Sequence, residues 1–396
     1  MLEVAIKNSH YFLNCKDFMK KKFLISILQH RNVYFAITAF FHLHAALKDR
    51  PDLRKLVKIV FACTGRKLIA LEEIKRQYGD LYDIDIFECE GDYLIKVNAI
   101  FSAYPQSEYP YFIKHDEDIF VSPQSWTRLL ESAEQCLSDS ENLLLSVNLS
   151  TGIPSWSQFA SVFFSIKELK RIYANLALSQ VPNELWGNDY TALQRNIDSV
   201  DEWDENSYWD WVNDLGYDYR GIHPIRLEIG YPLIINQLII NDYQKFLDAS
   251  VSTEIYKISN RYFCNSFFCM PYERYQTVVQ DKSLFVDLFD EVPINRYARI
   301  HKANFCFLEN SLAIHIIYNS VYEQDTILEN GICNGRKLEQ YFLRRYFNLI
   351  TQHLNVDPNN YRVFPRWAEP FHHARLRLKK KVHQAALKIY QKHYRP

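Results

Sequence analysis

Residues 23–63 read FLISILQHRNVYFAITAFFHLHAALKDRPDLRKLVKIVFAC, and this stretch decides the fold. Its first residues, Phe23–Leu28, form a short apolar run that predicts a buried strand, and Leu56–Cys63 forms a second such run. Between them, Val33–Leu47 has the length and the broad apolar face of a helix. A strand, a helix and a second strand in this order predict a βαβ unit with parallel strands.

The same alternation continues along the chain. Helices are predicted at 68–78, 92–104, 159–178 and 338–354, and further strands at 82–89, 109–114, 143–150, 263–270 and 313–318. Strands that alternate with helical segments of 10 to 15 residues are typical of parallel sheets covered by helices. We therefore expect an α/β fold, Rossmann-like, with a mainly parallel central sheet flanked by helices and with helical insertions in its second half.

The composition is typical of a globular protein. The chain has 396 residues, of which 48% are hydrophobic, and a formal net charge of −1, which excludes a disordered chain and a generally basic nucleic-acid-binding protein. Its eight cysteines are scattered without a CxxC pair, so neither a disulfide framework nor a zinc site is expected. No run of 18 apolar residues occurs and the N-terminus lacks a signal-peptide pattern, so we expect a cytoplasmic protein.

Positive charge is concentrated at the C-terminus. Residues 371–396 contain eight Lys or Arg and no Asp or Glu, so this tail carries +8 and the remaining residues carry −9. Its apolar residues recur every three or four positions, at Phe371, Ala374, Leu378, Val382, Ala385 and Ile389. The pattern is typical of a basic amphipathic helix that lies on an anionic membrane surface. The alternatives are a segment that binds a calmodulin-like protein or a nucleic acid, and a helix that docks on the protein with a solvated basic face.

The most informative short motif is acidic. Asp116, Glu117 and Asp118 come one residue after the predicted strand Tyr109–Lys114, with His115 between them. The carboxyl ends of parallel strands are where open α/β sheets bind ligands. Carboxylate oxygens suit Mg²⁺ or Mn²⁺, and such an ion can hold a diphosphate and neutralise the charge that develops on it as a leaving group. A solvated acidic turn is the alternative interpretation.

The same region resembles the GT-A class of nucleotide-sugar glycosyltransferases, and β-1,3-galactosyltransferase-like enzymes in particular. The resemblance is carried by residues 92–100 and 111–122, where a helix with a lysine precedes a strand that ends in D-x-D, followed by an apolar pair and a helix. Lys96 occupies the lysine position and Asp116 to Asp118 the D-x-D position. The resemblance implies a GT-A fold, a UDP-sugar donor, and Mn²⁺ or Mg²⁺ held by the two aspartates.

Several further side chains are expected to contact the donor. These are Gln29, His30, Arg31 and Asn32 after the first strand, Thr64 and Arg66 after the second, and Lys96, His115, Asp116 and Glu117 at the motif itself. Polar groups between a strand and the start of a helix favour phosphate or base contacts. For the first of these loops, the alternative is an ordinary connection in which Asn32 caps the helix.

An inverting transferase needs one carboxylate to take the proton of the acceptor hydroxyl. In the family this carboxylate often sits in an acidic pair at a helix start, and Asp290 with Glu291 resembles that pair. The alternative is that Asp290 is a plain helix cap and Asn295 faces solvent.

A third metal ligand in such enzymes is often a histidine, and His315 is the candidate, with His301, His372 and His373 as alternatives. His42 and His44 lie two apart in a helix, so they face different sides and are expected to be structural.

The chain is expected to divide into an N-terminal extension (1–20), a nucleotide-sugar-binding half (21–130), an acceptor-binding half (131–330) and a C-terminal helical region (331–396). A tryptophan-rich insertion at 180–250 is either an acceptor platform or a packed surface insertion. The predicted function is metal-dependent transfer of a sugar from a UDP-sugar to a glycan or lipid-linked acceptor, by inversion, in bacterial lipopolysaccharide, O-antigen or capsule assembly. The alternatives are a nucleotidyltransferase on a similar sheet and a non-catalytic binding module.

Overall fold

The computed structural model describes residues 21–29, 32–63, 69–89, 93–150, 155–173, 230–259, 263–284, 291–316, 326–328, 331–333 and 335–361. Its centre is an eight-stranded sheet with the strand order β3-β2-β1-β4-β8-β6-β9-β7. These strands are β1 (Phe23–Gln29), β2 (Val57–Cys63), β3 (Asp83–Glu88), β4 (Tyr111–Asp116), β6 (Asn142–Ser146), β7 (Ile255–Ile258), β8 (Phe267–Pro271) and β9 (Asn304–Leu308).

The N-terminal part of the sheet is parallel, as the sequence predicts. β1 pairs in parallel with β2 on one side and with β4 on the other, and β2 pairs in parallel with β3. Every residue of β1 and β2 is buried, because helices cover both faces of the sheet. The predicted strand at 109–114 begins only at Tyr111, because Pro110 has no N–H to donate to a neighbour.

The C-terminal part is mixed. β8 runs antiparallel to both β4 and β6, β9 is parallel to β6, and β7 is an antiparallel edge strand. The prediction of an α/β fold with a mostly parallel central sheet is confirmed, with one antiparallel strand in its middle. Strands from residues 21–130 and from residues 131–330 join in this one sheet.

Twelve described α-helices accompany the sheet. They are α1 (Val33–Leu47), α2 (Pro51–Arg54), α3 (Ile69–Tyr78), α4 (Tyr93–Ala103), α5 (Pro123–Leu137), α6 (Trp156–Phe163), α7 (Ile166–Tyr173), α8 (Gly230–Asn241), α9 (Tyr243–Leu247), α10 (Tyr272–Gln280), α11 (Glu291–His301) and α12 (Gly335–Leu354). The single helix predicted at 159–178 is wrong, because it is interrupted at residues 164–165; its last residues, 174–178, lie outside the described part of the chain. Phe164 is extended there, and Ser165 and Glu168 form a reciprocal capping box that starts α7.

Two hydrophobic cores lie on opposite faces of the sheet. Alternate residues of β1 divide between them: Ile25 joins the core beneath α1, α3 and α5, and Leu24 joins the core beneath α4, α10 and α11. We call these the α1-side and the α4-side core. Since α1 and α4 lie on opposite faces, the chain winds both ways from β1, and the carboxyl edge between β1 and β4 is a topological switch point where ligands bind in such sheets.

Two small two-stranded sheets complete the described structure. β5 (Ile119–Val121) follows the acidic motif directly and pairs antiparallel with β10 (Ala313–His315). β11 (Thr326–Leu328) pairs with β12 (Gly331–Cys333). Within the described ranges, no helix has both the length and the apolar character needed to cross a membrane. The extension 1–20, residues 180–229 of the tryptophan-rich insertion and the tail 371–396 lie outside the described residues.

Candidate active site

The acidic motif forms a turn between β4 and β5 at the switch point. Asp116 is the last residue of β4, and Glu117 and Asp118 make the turn. Two backbone hydrogen bonds fix it: the Asp116 N–H donates to the Ser266 carbonyl at 3.0 Å, and the Ile316 N–H donates to the Asp118 carbonyl at 3.0 Å. The turn is thus tied to segments that lie far away in the sequence, so its side chains start from a fixed backbone.

Asp118 and His315 face each other across the small β5–β10 sheet. His315 pairs with Ile119 in the register, and its N–H donates to the Ser150 hydroxyl at 3.0 Å. The His315 Nε2 lies 3.8 Å from the Asp118 Oδ1, and the two side chains are 8% and 16% exposed. Ligand atoms about 2.1 Å from one ion lie about 3.0 Å apart at a right angle and about 4.2 Å apart when opposite. The observed separation lies between these two values, so Asp118 and His315 are candidate ligands of one divalent ion.

Asp116 has a different partner. The Lys114 ammonium lies 2.8 Å from its Oδ1 and 2.9 Å from its Oδ2. Lys114 has no exposed side-chain surface, and it also donates to the Asn265 carbonyl at 2.8 Å and lies 5.0 Å from the centre of the Tyr93 ring. Among the described residues, no three His, Cys, Asp or Glu side chains are arranged to hold one metal ion.

His115 points to the other face of β4. It is fully buried, its Nε2 lies 2.8 Å from the Ile119 carbonyl oxygen, and its ring contacts Trp126 and Phe267 in the α1-side core. Burial lowers its pKa to about 4, so the ring is neutral at pH 7. The sequence prediction places His115 at the donor; the structure places it in the core, because alternate residues of a strand face opposite sides.

Lys96 lies at the carboxyl end of the first strands. It projects from the first turns of α4, has no exposed surface, and donates to the Gln29 carbonyl at 3.1 Å. Burial lowers the pKa of Lys96, and the nearby Cys89 thiol and Glu117 carboxylate partly oppose this. Gln29 and Glu117 are buried too. The structure therefore brings Gln29, Lys96 and Glu117 together next to Asp116.

Asn32 caps the helix α1, as the alternative interpretation of the first loop predicts. Its side-chain oxygen accepts a hydrogen bond from the Tyr34 N–H at 3.1 Å, which caps α1, and its amide nitrogen donates to Gln340 of α12 at 2.7 Å. The other predicted rim residues lie outside the described part of the chain: His30, Arg31, Thr64 and Arg66.

The helix α11, which follows the predicted base Asp290, is linked to the acidic motif by its residue Asn295. α11 begins at Glu291, whereas Asp290 and the Glu291 side chain are outside what the structure describes. One turn into this helix, the Asn295 side chain accepts from the Phe263 N–H at 2.8 Å and donates to the Phe263 carbonyl at 2.9 Å. Asn295 is thus a clamp on the 263–266 turn rather than a solvent-facing residue, and that turn contacts Lys114 through Asn265.

The two histidines of α1, His42 and His44, have structural roles. His42 is buried and its Nε2 lies 3.0 Å from the Tyr243 hydroxyl; the His44 Nδ1 lies 2.8 Å from the Tyr82 hydroxyl. Burial lowers their pKa values to about 3 and about 4. The prediction for both is confirmed. His301 is exposed and stacks on Tyr297, and the alternatives His372 and His373 lie outside the described residues.

Sequence reasoning missed Lys114, Tyr93 and Asn265. A signal for Lys114 exists, since it is two residues before Asp116 on a strand and must therefore face the same side. Asn265 has no such signal, because it lies 151 residues away from Lys114.

No model of a known protein family matches the chain, and no curated protein matches it in sequence, so the geometry of the acidic turn and its two buried lysines carries the functional argument.

Proposed function

We propose that the protein is a metal-dependent glycosyltransferase that moves a sugar from a UDP-sugar to a glycan or lipid-linked acceptor. The observation that supports this proposal most directly is the arrangement of charged side chains at the switch point. Two buried ammonium groups, Lys96 and Lys114, lie at the carboxyl edge beside an acidic turn whose Asp118 faces His315. Buried lysines are rare because desolvating an ammonium is unfavourable, and a site that binds an anionic diphosphate gives them a use.

Each described residue then has a task. Lys96 and Lys114 attract the diphosphate, and Asp118 and His315 would hold a Mn²⁺ or Mg²⁺ ion, with Asp116 beside them. The ion, when bound, neutralises the charge that develops on the leaving diphosphate. A carboxylate of the Asp290–Glu291 pair takes the acceptor proton, which corresponds to inversion at the sugar carbon. Asn295 holds the 263–266 turn between that helix and the acidic motif.

The fold is a second observation that supports this assignment. A doubly wound N-terminal half whose strand β4 ends in the acidic turn, followed by a half with mixed strand directions, is compatible with the GT-A class. The pathway is a further proposal: the basic tail 371–396 would hold a cytoplasmic enzyme on the inner membrane surface, where lipid-linked intermediates of lipopolysaccharide, O-antigen or capsule are extended.

The test is isothermal titration of the purified protein with UDP, ADP and GDP, with Mn²⁺ and then with EDTA. We expect UDP binding that weakens at least about tenfold in EDTA, and Asp118→Asn to remove the metal dependence. Asp248→Asn is the matched control, because it changes an exposed carboxylate at the C-terminal end of α9.

Hydrolysis or transfer of the sugar from a UDP-sugar completes the test. Failure to bind any nucleotide with or without Mn²⁺ would refute the proposal and favour a non-catalytic binding module. Release of pyrophosphate from a nucleoside triphosphate would instead indicate a nucleotidyltransferase.

A further inference from the structure

Three cysteines that lie far apart in the sequence meet in the α1-side core. Cys136 is in the last turn of α5, and Cys269 and Cys306 are the central residues of β8 and β9. Leu145 of β6 is the register partner of both strand cysteines, so they flank the same residue of the strand between them. The helix α5 packs on these three strands and brings Cys136 to the same core.

Two of the three thiols are in direct contact. Cys136 and Cys306 are hydrogen-bonded through their side chains, and both are free thiols. This hydrogen bond lowers the pKa of Cys136 and, together with burial, raises the pKa of Cys306, so Cys136 ionises first and the Cys306 S–H donates to its sulfur. Burial raises the pKa of Cys269 well above its usual range, so that thiol stays protonated.

Polar groups around the pair favour negative charge on Cys136. Lys257 of the edge strand β7 is the register partner of Cys306, so its side chain leaves the sheet on the same face. The Lys257 ammonium lowers the pKa of Cys136 further, although Asp139, which pairs with this ammonium at 3.0 Å, partly offsets the effect. The Asn142 amide donates to the Cys136 carbonyl at 2.8 Å and to the Cys136 sulfur at 3.9 Å.

A thiol with a lowered pKa and solvent access, beside a second thiol, is the combination that oxidises to a disulfide most readily. Solvent reaches this pair from Cys136, which is 6% exposed, whereas Cys306 is fully buried. We propose that Cys136 and Cys306 form a peroxide-responsive dithiol, in which Cys136 reacts with hydrogen peroxide and Cys306 converts the product to a disulfide. The pair contains no residue of the acidic turn, so this inference is independent of the proposed function.

The reaction consumes one hydrogen peroxide for each disulfide. The Cys136 thiolate attacks one oxygen and breaks the O–O bond, which gives a sulfenic acid and a hydroxide; the hydroxide takes up the proton that Cys136 released and becomes water. The Cys306 sulfur then attacks the sulfenic sulfur. The S–S bond forms, the S–O bond breaks, and the departing hydroxide takes the Cys306 proton as a second water. Two electrons pass from the two thiols to the peroxide.

The test treats the reduced full-length protein with hydrogen peroxide, alkylates the remaining thiols and maps the peptides by mass spectrometry. We expect one dominant cross-linked pair of peptides, which joins Cys136 to Cys306 and separates again in dithiothreitol. Cys136 should react at least about tenfold faster than Cys269, because reactivity follows the thiolate fraction and access. This measurement uses the wild-type chain, so it does not depend on the folding of a variant.

Variants assign the two roles. Cys306→Ala should stop the reaction at the sulfenic acid of Cys136, which dimedone traps, and Cys136→Ala should abolish both products. Cys269→Ala is the matched control, because it removes a thiol from the same core beside the same Leu145, and it should form the disulfide as wild type does. Lys257→Met should move the pH midpoint of Cys136 alkylation upward and slow the oxidation at least about threefold at pH 7, since an ammonium that favours the thiolate is lost.

Three results would overturn the inference. The first is that both thiols remain free in peroxide while circular dichroism shows a folded protein. The second is a disulfide from Cys136 to Cys269, or a Cys136 that proceeds to the sulfinic acid without any link to Cys306. The third is a disulfide that forms only after unfolding in urea, because the contact in the folded protein would then have no part in it.

Discussion

Lys96→Met gives the sharpest test of why a lysine is buried at the switch point. In the folded protein its ammonium has no exposed surface and donates to the Gln29 carbonyl. Losing that hydrogen bond costs about 1 kcal/mol, whereas removing a buried charge relieves a desolvation penalty of several kcal/mol. We therefore expect the free energy of unfolding of Lys96→Met to equal or exceed that of wild type.

The affinity for UDP should decrease in Lys96→Met, although the stability does not. A charge pair about 4 Å apart contributes about 4 kcal/mol at an effective dielectric constant of about 20, and truncation of one partner of a buried pair costs about 2–5 kcal/mol. We expect Lys96→Met to weaken UDP binding by about 2–4 kcal/mol, which is roughly 30- to 1,000-fold. Calorimetric titration and thermal unfolding of the same preparations measure both quantities.

The pH dependence of stability provides an independent check. Burial lowers the pKa of Lys96 from 10.5, so between the folded and unfolded pKa values the unfolded chain binds more protons, and stability rises with pH in that window. The rise should be smaller in Lys96→Met. If Lys96→Met binds UDP as tightly as wild type, or loses more than about 3 kcal/mol of stability, then Lys96 is a structural residue and does not bind the diphosphate.

Three further predictions concern other parts of the chain. Acidification from pH 6.5 to 5 should destabilise the protein by about 2 kcal/mol through His42, whose pKa burial lowers to about 3 so that only the unfolded chain takes up the proton; His42→Gln should show a flatter dependence of Tm on pH. Of Asp290→Asn and Glu291→Gln, the variant of the base should lose most turnover with UDP affinity unchanged, and near-normal turnover in both would place the base elsewhere. Deletion of residues 371–396 should leave UDP binding intact but release the protein from anionic vesicles, as high salt should; equal sedimentation of both forms would contradict a membrane role.

The first half of the fold was predictable because its signals are local. α1 begins and ends at the predicted residues, since an Asn cap precedes a long apolar segment. The strands of the N-terminal part are short apolar runs between such helices, and the chain order then determines their parallel direction.

The second half needs information that the local sequence lacks. β8 is buried on both faces, and such a strand has the same pattern whether it runs parallel or antiparallel to its neighbours. The break between α6 and α7 did have a local signal, the Ser165–Glu168 capping box. The pairing of Lys114 with Asn265 depends on where β8 begins, so it could not be foreseen from the residues around the acidic motif.

The antiparallel strand β8 also affects how the protein is made. β4 has β1 on one side, but its other neighbour is β8, which is synthesised only when residues 267–271 leave the ribosome. Until then β4 presents an open row of backbone donors and acceptors, next to a lysine whose partner carbonyl does not yet exist. The nascent N-terminal half is therefore expected to be an aggregation-prone intermediate with an unpaired strand edge. Variants that slow translation between β6 and β8 should lower the yield of native protein through aggregation, without changing the stability of the folded protein.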